Sequence, residues 1–514
     1  MTLGNNVKLC AGAMSLVLSL ALSLALSLAL SLSASAQVVP PPTDVVPTQP
    51  KRVEERWLIP MDQRPAFGEW REQTEVFSAS MWTGVLTNNV RVSHRYFPNE
   101  KQTGQIQVAL YGGGLQEDAS TRGLTEAAMM AWKKPATKDL SHTELKAKLK
   151  GWNVGTTGEV AGDYARLTVA GDNVHIEMQF QLAYWLLTKP VIEADAIESW
   201  KQEQLKEIDS RMRGTRSAFP HVMADAIFPK DDVRGRGLTR EQVEAITVEK
   251  AQAWLEKLIA TAPIEVGFVG RVPREMVFEL SQRYFASLPE RPLVTTATNA
   301  DLRRIVKSTS TVTVDRAMPS VTPRAVVSWS FWACDEQDYD RMLPLQMAAR
   351  IATRRFDAKL KEVLPDRETR GGISWTLNPA STFPGMGLFV GVATAPPAKA
   401  DEIHALMLSE LRAFAQQGPT EGEMLEAQAA QQKLWQDRLI NEGVWGLILE
   451  SYAYTGIDTG KLMTVPGIVM QVTPEQVRDQ LQAIVNGDPA TSIVLRPATA
   501  GAAPVESVPV KRDN

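Results

Sequence analysis

Only two cysteines occur in the 514 residues, Cys10 and Cys334. Once a leader containing Cys10 is removed, Cys334 stands alone and no intramolecular disulfide can form. A chain with 44% apolar residues must then be held by its core and not by crosslinks. The five histidines, His94, His142, His175, His221 and His404, are isolated from one another, and none lies in a His-Glu-x-x-His or His-x-x-Glu-His setting. The spacings His142 to Glu144 and His175 to Glu177 are common by chance, and Glu144 already reads as a helix cap. There is no P-loop, no Gly-x-Ser-x-Gly elbow and no dinucleotide fingerprint after a strand. A net charge of −4 argues against a nucleic-acid partner and against a polybasic membrane surface.

What is present begins with a leader. Residues 1–36 carry a single charge, Lys8, then a low-complexity apolar run that ends in Ala34-Ser35-Ala36, which reads as a secretory signal peptide cut before Gln37. The run is long enough to span a bilayer, so an uncleaved anchor is the rival reading, and only that reading gives the chain a membrane contact. Export without disulfides suits a periplasmic or secreted protein. Residues 37–56 form a Pro-rich linker.

The stretch 108–130, VALYGGGLQEDASTRGLTEAAMM, organises the rest. An alternating strand carrying Ile106, Val108 and Leu110 runs into three glycines and an acidic loop, and Gly123-Leu124 then opens an apolar helix expected over 124–132. The triple glycine lacks the Lys-Ser/Thr of a phosphate cradle and reads as a backbone turn. Before it lie two alternating strands with turn signals at Asn88-Asn89 and Pro98-Asn99. After it come a helix capped by Ser141 and Glu144, a hairpin over 155–173, a buried helix over 175–190 and a long charged helix over 194–213. Helices, the strand IEVGFVG and a further helix close this half near Pro292.

This order of strand, glycine turn, acidic loop, Gly-Leu and helix resembles the insulinase/pitrilysin-type metallopeptidases, the inverzincins, whose zinc motif His-x-x-Glu-His follows such a Gly-Leu pair. The resemblance implies an α+β fold of two duplicated insulinase-type domains, each an antiparallel-rich sheet covered by helices. It places the first zinc-binding His on Glu126, the catalytic Glu on Met129 and the second His on Met130. Two imidazoles four residues apart can share a metal on one helical face, with the carboxylate activating its water; a thioether is no base. The resemblance also implies a third ligand Glu on the 194–213 helix, where Glu203 and Glu207 lie, but without histidines no ligand carries over. This chain is therefore expected to hold no metal and no catalytic residue, with zinc on a partner subunit.

Residues 313–497 repeat the pattern of residues 57–292 across a joining segment, 293–312, and 498–514 read as a disordered tail. In this second half the family carries an Arg and a Tyr that orient substrate. The matching segment LKEVLPDRETRGGISW places them on Lys361 and Trp375, which lose the bidentate fork and the hydroxyl. Lys361 also reads as a solvated helix end and Trp375 as a core aromatic.

Three functions fit the resemblance. One is a non-catalytic homologue, similar to the non-catalytic subunit of mitochondrial processing peptidase, pairing with an active insulinase-type subunit to enclose peptides. The second is a structural or peptide-binding subunit without a peptidase partner. The third is an autonomous zinc metalloendopeptidase with displaced ligands.

Overall fold

The structure is a computed structural model, and it describes residues 58–98, 103–211, 213–320, 322–366 and 371–498. The expected leader, the Pro-rich linker and residues 499–514 lie outside the described residues, as does part of the Pro98-Asn99 turn. Among the described residues no helix is long and apolar enough to cross a membrane.

In the first half the strands are β1 (Trp70–Val76), β2 (Met81–Leu86), β3 (Arg91–Tyr96), β4 (Thr103–Tyr111), β5 (Ala136–Thr137), β6 (Val154–Val160), β7 (Tyr164–Asp172), β8 (Pro190–Val191) and β9 (Ile264–Gly270). Seven of them make one sheet in the order β1-β2-β3-β9-β4-β7-β6, while β5 and β8 pair separately. The second half has β10 (Val312–Met318), β11 (Ala325–Trp332), β12 (Ile373–Asn378), β13 (Leu388–Ala395) and β14 (Thr491–Pro497), ordered β10-β14-β11-β13-β12. In each sheet one pair is parallel, β3 with β9 and β10 with β14. The remaining pairs are antiparallel.

The two sheets are the same object built twice. Strands β3, β9, β4, β7 and β6 match β10, β14, β11, β13 and β12 in order and direction, and the β1-β2 hairpin is an extension found in the first sheet only. The expected α+β duplication is therefore the observed architecture.

Each sheet packs one face on the helices of its own half. In the first, Ile106, Val108, Leu110, Leu167, Val266 and Phe268 point into a core with the helices Leu124–Ala128, Ile176–Thr188 and Val248–Thr261. Trp132 is fully enclosed there, and its indole N–H donates to Leu186 O at 3.1 Å, so the burial of a large aromatic leaves no orphaned donor. In the second, Val327, Phe331, Phe389 and Ala393 pack under the helices Tyr339–Val363 and Ala400–Gln417.

Alternation in β4 and β7 predicts that the opposite face meets water. The structure covers it instead. Every residue of β9 is buried, Glu265 and Gly267 included, because the helices Glu442–Leu449 and Tyr452–Thr455 of the second half lie across the first sheet. Reciprocally, the first-half helix Thr215–Ile227 lies across the second sheet, where Ala218, Val222, Met223 and Ile227 meet Val326, Val390, Ile493 and Leu495. Each half thus completes the other.

Candidate functional site

The glycine turn is built as a turn. Gly112 and Gly113 have φ of 133° and 54°, a region that favours glycine, and a Cβ on Gly113 would stand 2.9 Å from Thr125 Cγ2. The acidic loop then supplies the helix cap. Glu117 is buried, and its carboxylate accepts from Thr125 N at 2.7 Å, Gly123 N at 3.1 Å and Arg122 Nη1 at 2.8 Å. A carboxylate at this end satisfies backbone donors that the helix itself leaves open and complements its dipole. Asp118, one residue on, accepts from Ser120 and Thr121, which hold its carboxyl down at about 2. Gly123 at φ 92° lets Leu238 and Ile246 press against the backbone where the helix starts.

The single helix expected over 124–132 is broken in two, Leu124–Ala128 and Met130–Lys133. The break falls on Met129, whose N–H is shared between Thr125 O and Glu126 O. Strand β6 approaches its backbone so closely that a Cβ on Gly158 would lie 2.5 Å from Met129 O. Met129 and Met130 are both core residues.

Glu126 sits in the same core wall, 8% exposed, and among the described residues its Oε1 has no hydrogen-bond partner. Burial pushes its carboxyl up to about 8, against the pull of Lys133 and Arg122. On the helix Ala194–Arg211, Glu203 is exposed, whereas Glu207 stands 3.7 Å from His221 Nε2 and 3.8 Å from Arg211 Nε. The His221 imidazole beside it holds the Glu207 carboxyl below its ordinary value.

One buried acid, two thioethers and a carboxylate committed to His221 and Arg211 do not fit a tetrahedral zinc site, which needs three or four imidazole, thiolate or carboxylate donors around one point. Among the described residues no group of three His, Cys, Asp or Glu is placed to hold a metal ion. Each histidine has its own local partner. His94 Nε2 lies 3.1 Å from Val272 O with burial pushing the ring down to about 4, His142 Nδ1 is 3.2 Å from Pro135 O, His175 packs edge-on to Trp152, and His404 stacks on Trp329.

Lys361 is exposed at the end of Tyr339–Val363 and pairs with Asp357 at 2.7 Å, a turn back on the same helix. Trp375 on β12 is buried on the helix-facing side of the second sheet, lying over Gly391 and stacked 5.5 Å from Phe389. Its backbone is bracketed by Thr353, whose Oγ1 accepts from Trp375 N and donates to Trp375 O. Among the described residues the partners given for Lys361 and Trp375 are separate, Asp357 for the one and Thr353, Phe389 and Gly391 for the other.

Sequence reasoning missed a second constellation, between the halves. Glu450 is fully buried; Arg166 Nε donates to both its oxygens at 2.7 and 2.9 Å, Tyr164 Oη donates to Oε1 at 2.8 Å, and Tyr111 Oη donates to its backbone oxygen at 2.9 Å. Glu265 accepts from Ala453 N at 2.7 Å and Tyr454 N at 3.3 Å, and burial pushes its carboxyl up to about 7. A Glu inside the otherwise apolar strand IEVGFVG was the one available signal.

With that geometry in hand, likeness to known proteins has a structural meaning. Residues 245–431 match the family described as the peptidase M16 inactive domain. No curated protein sequence matches the chain. Among solved structures, the periplasmic protease PqqL of Escherichia coli is similar over 93% of this chain and 50% of its own, at 20% identity and TM-score 0.68. A peptidase M16 inactive domain from Pseudomonas fluorescens is similar over 82% of this chain and 100% of its own, at 13% identity and TM-score 0.67. The ferredoxin protease FusC, solved with Arabidopsis ferredoxin, is similar over 88% of this chain and 49% of its own, at 15% identity and TM-score 0.65. The chain thus spans about half the length of PqqL and of FusC. Over residues 245–431 the chain thus matches the peptidase M16 inactive-domain family, and its duplicated sheets share the fold of solved M16 proteins.

Proposed function

We propose that this chain is a non-catalytic insulinase-family subunit, exported to the periplasm, that pairs with an active zinc metallopeptidase chain and completes a chamber enclosing peptides. The observation that carries the reading is a complete family frame whose metal positions hold Glu126, Met129 and Met130, the two methionines being packed into the core. A base and two ligands cannot be recovered from those side chains, so hydrolysis falls to another chain and the zinc resides there. FusC's ferredoxin supports a peptide or protein substrate. The leader and the likeness to a periplasmic protease support the compartment. Within the pair, Lys361 is exposed and able to meet a bound peptide, while Trp375 acts only by shaping β12.

The test is reconstitution. The purified chain is mixed with a co-encoded chain carrying His-x-x-Glu-His, complex formation is verified by size-exclusion chromatography, and hydrolysis of a quenched fluorogenic peptide is followed. The expected result is at least about tenfold faster hydrolysis by the complex than by the partner alone, a gain of the size that positioning supplies. A verified complex with no gain defeats the reading and favours a structural subunit.

A further inference from the structure

The first half also carries a cleft of about 400 Å³, where residues 58–64 pass over the helix Ile176–Thr188. Ile59, Leu140, Tyr184 and Trp185 give it apolar and aromatic walls. Small-molecule sites are of roughly 300–1,000 Å³ and are lined in this way. The walls are fixed by directed bonds. Ile59 N donates to the buried Gln181 Oε1 at 2.9 Å, and Arg64 Nη1 stands 2.8 Å from Glu177 Oε1, so residues 58–64 are tied to the helix at two points. Across the cleft, Lys138 N donates to Lys189 O at 3.1 Å and Leu140 N to Thr137 Oγ1 at 3.2 Å, which holds the loop before the helix His142–Leu149. A site whose walls stand before its ligand arrives loses little to ordering on binding.

The mouth of the cleft is cationic. Residues 133–150 carry six lysines against Asp139 and Glu144, in a chain whose net charge is −4. Both acids are engaged: Glu144 accepts from Ser141 N and Oγ in the helix cap, and Asp139 pairs with Lys189. Lys189 Nζ in turn lies 4.2 Å from the centre of the Trp185 ring. Lys148 lines the same cleft, is exposed, and among the described residues has no ion-pair partner. An aromatic wall beside an uncompensated ammonium suits a ligand that carries a flat apolar group next to an anionic one.

We infer that this cleft binds the C-terminal end of an acidic peptide, its last side chain aromatic and set against Tyr184 and Trp185, its terminal carboxylate on Lys148, and its preceding acidic residues in the field of the lysines of residues 133–150. In such a peptide the carboxylate and the aromatic ring hang from one carbon, as Lys148 and Trp185 share one cleft. The site lies within one half of this chain and needs no partner, so its test is separate from the reconstitution described above.

The experiment titrates the purified chain with N-acetyl-Asp-Asp-Phe bearing a free carboxylate, by isothermal titration calorimetry at low salt. One saturable site with a Kd on the order of 100 μM is expected, the strength of a small ligand held at an exposed mouth. Replacing the peptide's Phe by Gly should weaken binding at least about tenfold, and Lys148→Gln should weaken it about fivefold. Thr188→Trp, which fills the cleft from an exposed helix end, should abolish binding. If that variant fails to fold by circular dichroism, Gln63→Trp fills the cleft from residues 58–64 and carries the same expectation. The absence of saturable binding overturns the inference. So does binding that survives the filling variant, binding indifferent to Lys148→Gln, or a Gly-ended peptide that binds as well as the Phe-ended one.

Discussion

The two sheets share one strand order, and each is crossed by a helix from the opposite half, yet the crossings are chemically opposite. On the second sheet the crossing is apolar, with Val222, Met223 and Ile227 set on Val390, Ile493 and Leu495. On the first it is largely polar: Glu450 grips Arg166 and Tyr164, Glu265 receives the backbone of Ala453 and Tyr454, and Arg95 lies 3.5 Å over the Trp445 ring. Where apolar groups meet, area alone rewards contact and small slips cost little. Where buried charges meet, desolvation makes any arrangement but one expensive, so the first crossing fixes register as well as contact.

The difference can be broken in graded steps. Arg166→Met leaves Glu450 charged and enclosed, and is expected to cost roughly 3–5 kcal/mol in urea unfolding, with Arg166→Met/Glu450→Leu recovering most of it. On the apolar side, Met223→Ala is expected to cost about 3 kcal/mol from the cavity, with no such rescue by any charge change. Gly267→Ala places a methyl 2.6 Å from Glu450 N and 2.9 Å from Leu449 Cβ, and should cost about 2 kcal/mol by pushing the crossing helix off the sheet. Ile493→Val, a smaller deletion within the same apolar cluster, should cost about 1 kcal/mol.

Acid titration sharpens the contrast. Glu265, meeting Tyr111 and the backbone N–H groups of Ala453 and Tyr454 with Arg91 in its field, is held protonated by burial up to about pH 7 in the folded chain, against 4.5 when unfolded. A raised acid stabilises the fold fully below the unfolded value, and that contribution is lost as pH rises to about 7; the loss is at most about 3 kcal/mol. Glu265→Gln is expected to flatten the stability profile of the chain between pH 4.5 and 7 relative to wild type. Met223→Ala should shift the profile without changing its shape, and equal shapes for all variants would erase the distinction.

Much of this architecture was legible in the chain. A period-two run marked β4, a hairpin pattern marked β6 and β7, and capping residues such as Ser141 with Glu144 marked the helix His142–Leu149 where it is found. The helix Thr215–Ile227 escaped notice because its apolar residues answer to a sheet a hundred residues away and Pro220 interrupts its pattern. Strand β1 escaped because, as an exposed edge rich in Glu72, Gln73 and Glu75, it has no buried face to announce it. At the site, the loss of the metal motif was readable from Glu126, Met129 and Met130. The buried setting of Arg211 was not, since a charged residue at a helix end is ordinarily solvated and only the fold brings Gly237 and Leu238 against it.

The reciprocal crossing also dictates an order of events. A ribosome finishes β9 at Gly270, but the segment that covers its outer face begins at Glu442, so the first half waits through more than 170 further residues with Glu265, Arg166 and Tyr111 open to solvent. Closing so distant a contact is slow, and a half-made sheet with exposed edges invites wrong pairing meanwhile. The polar character of that waiting surface keeps it wettable until its cover arrives. An apolar one, like the face of the second sheet, is made late and is covered by a helix that already exists.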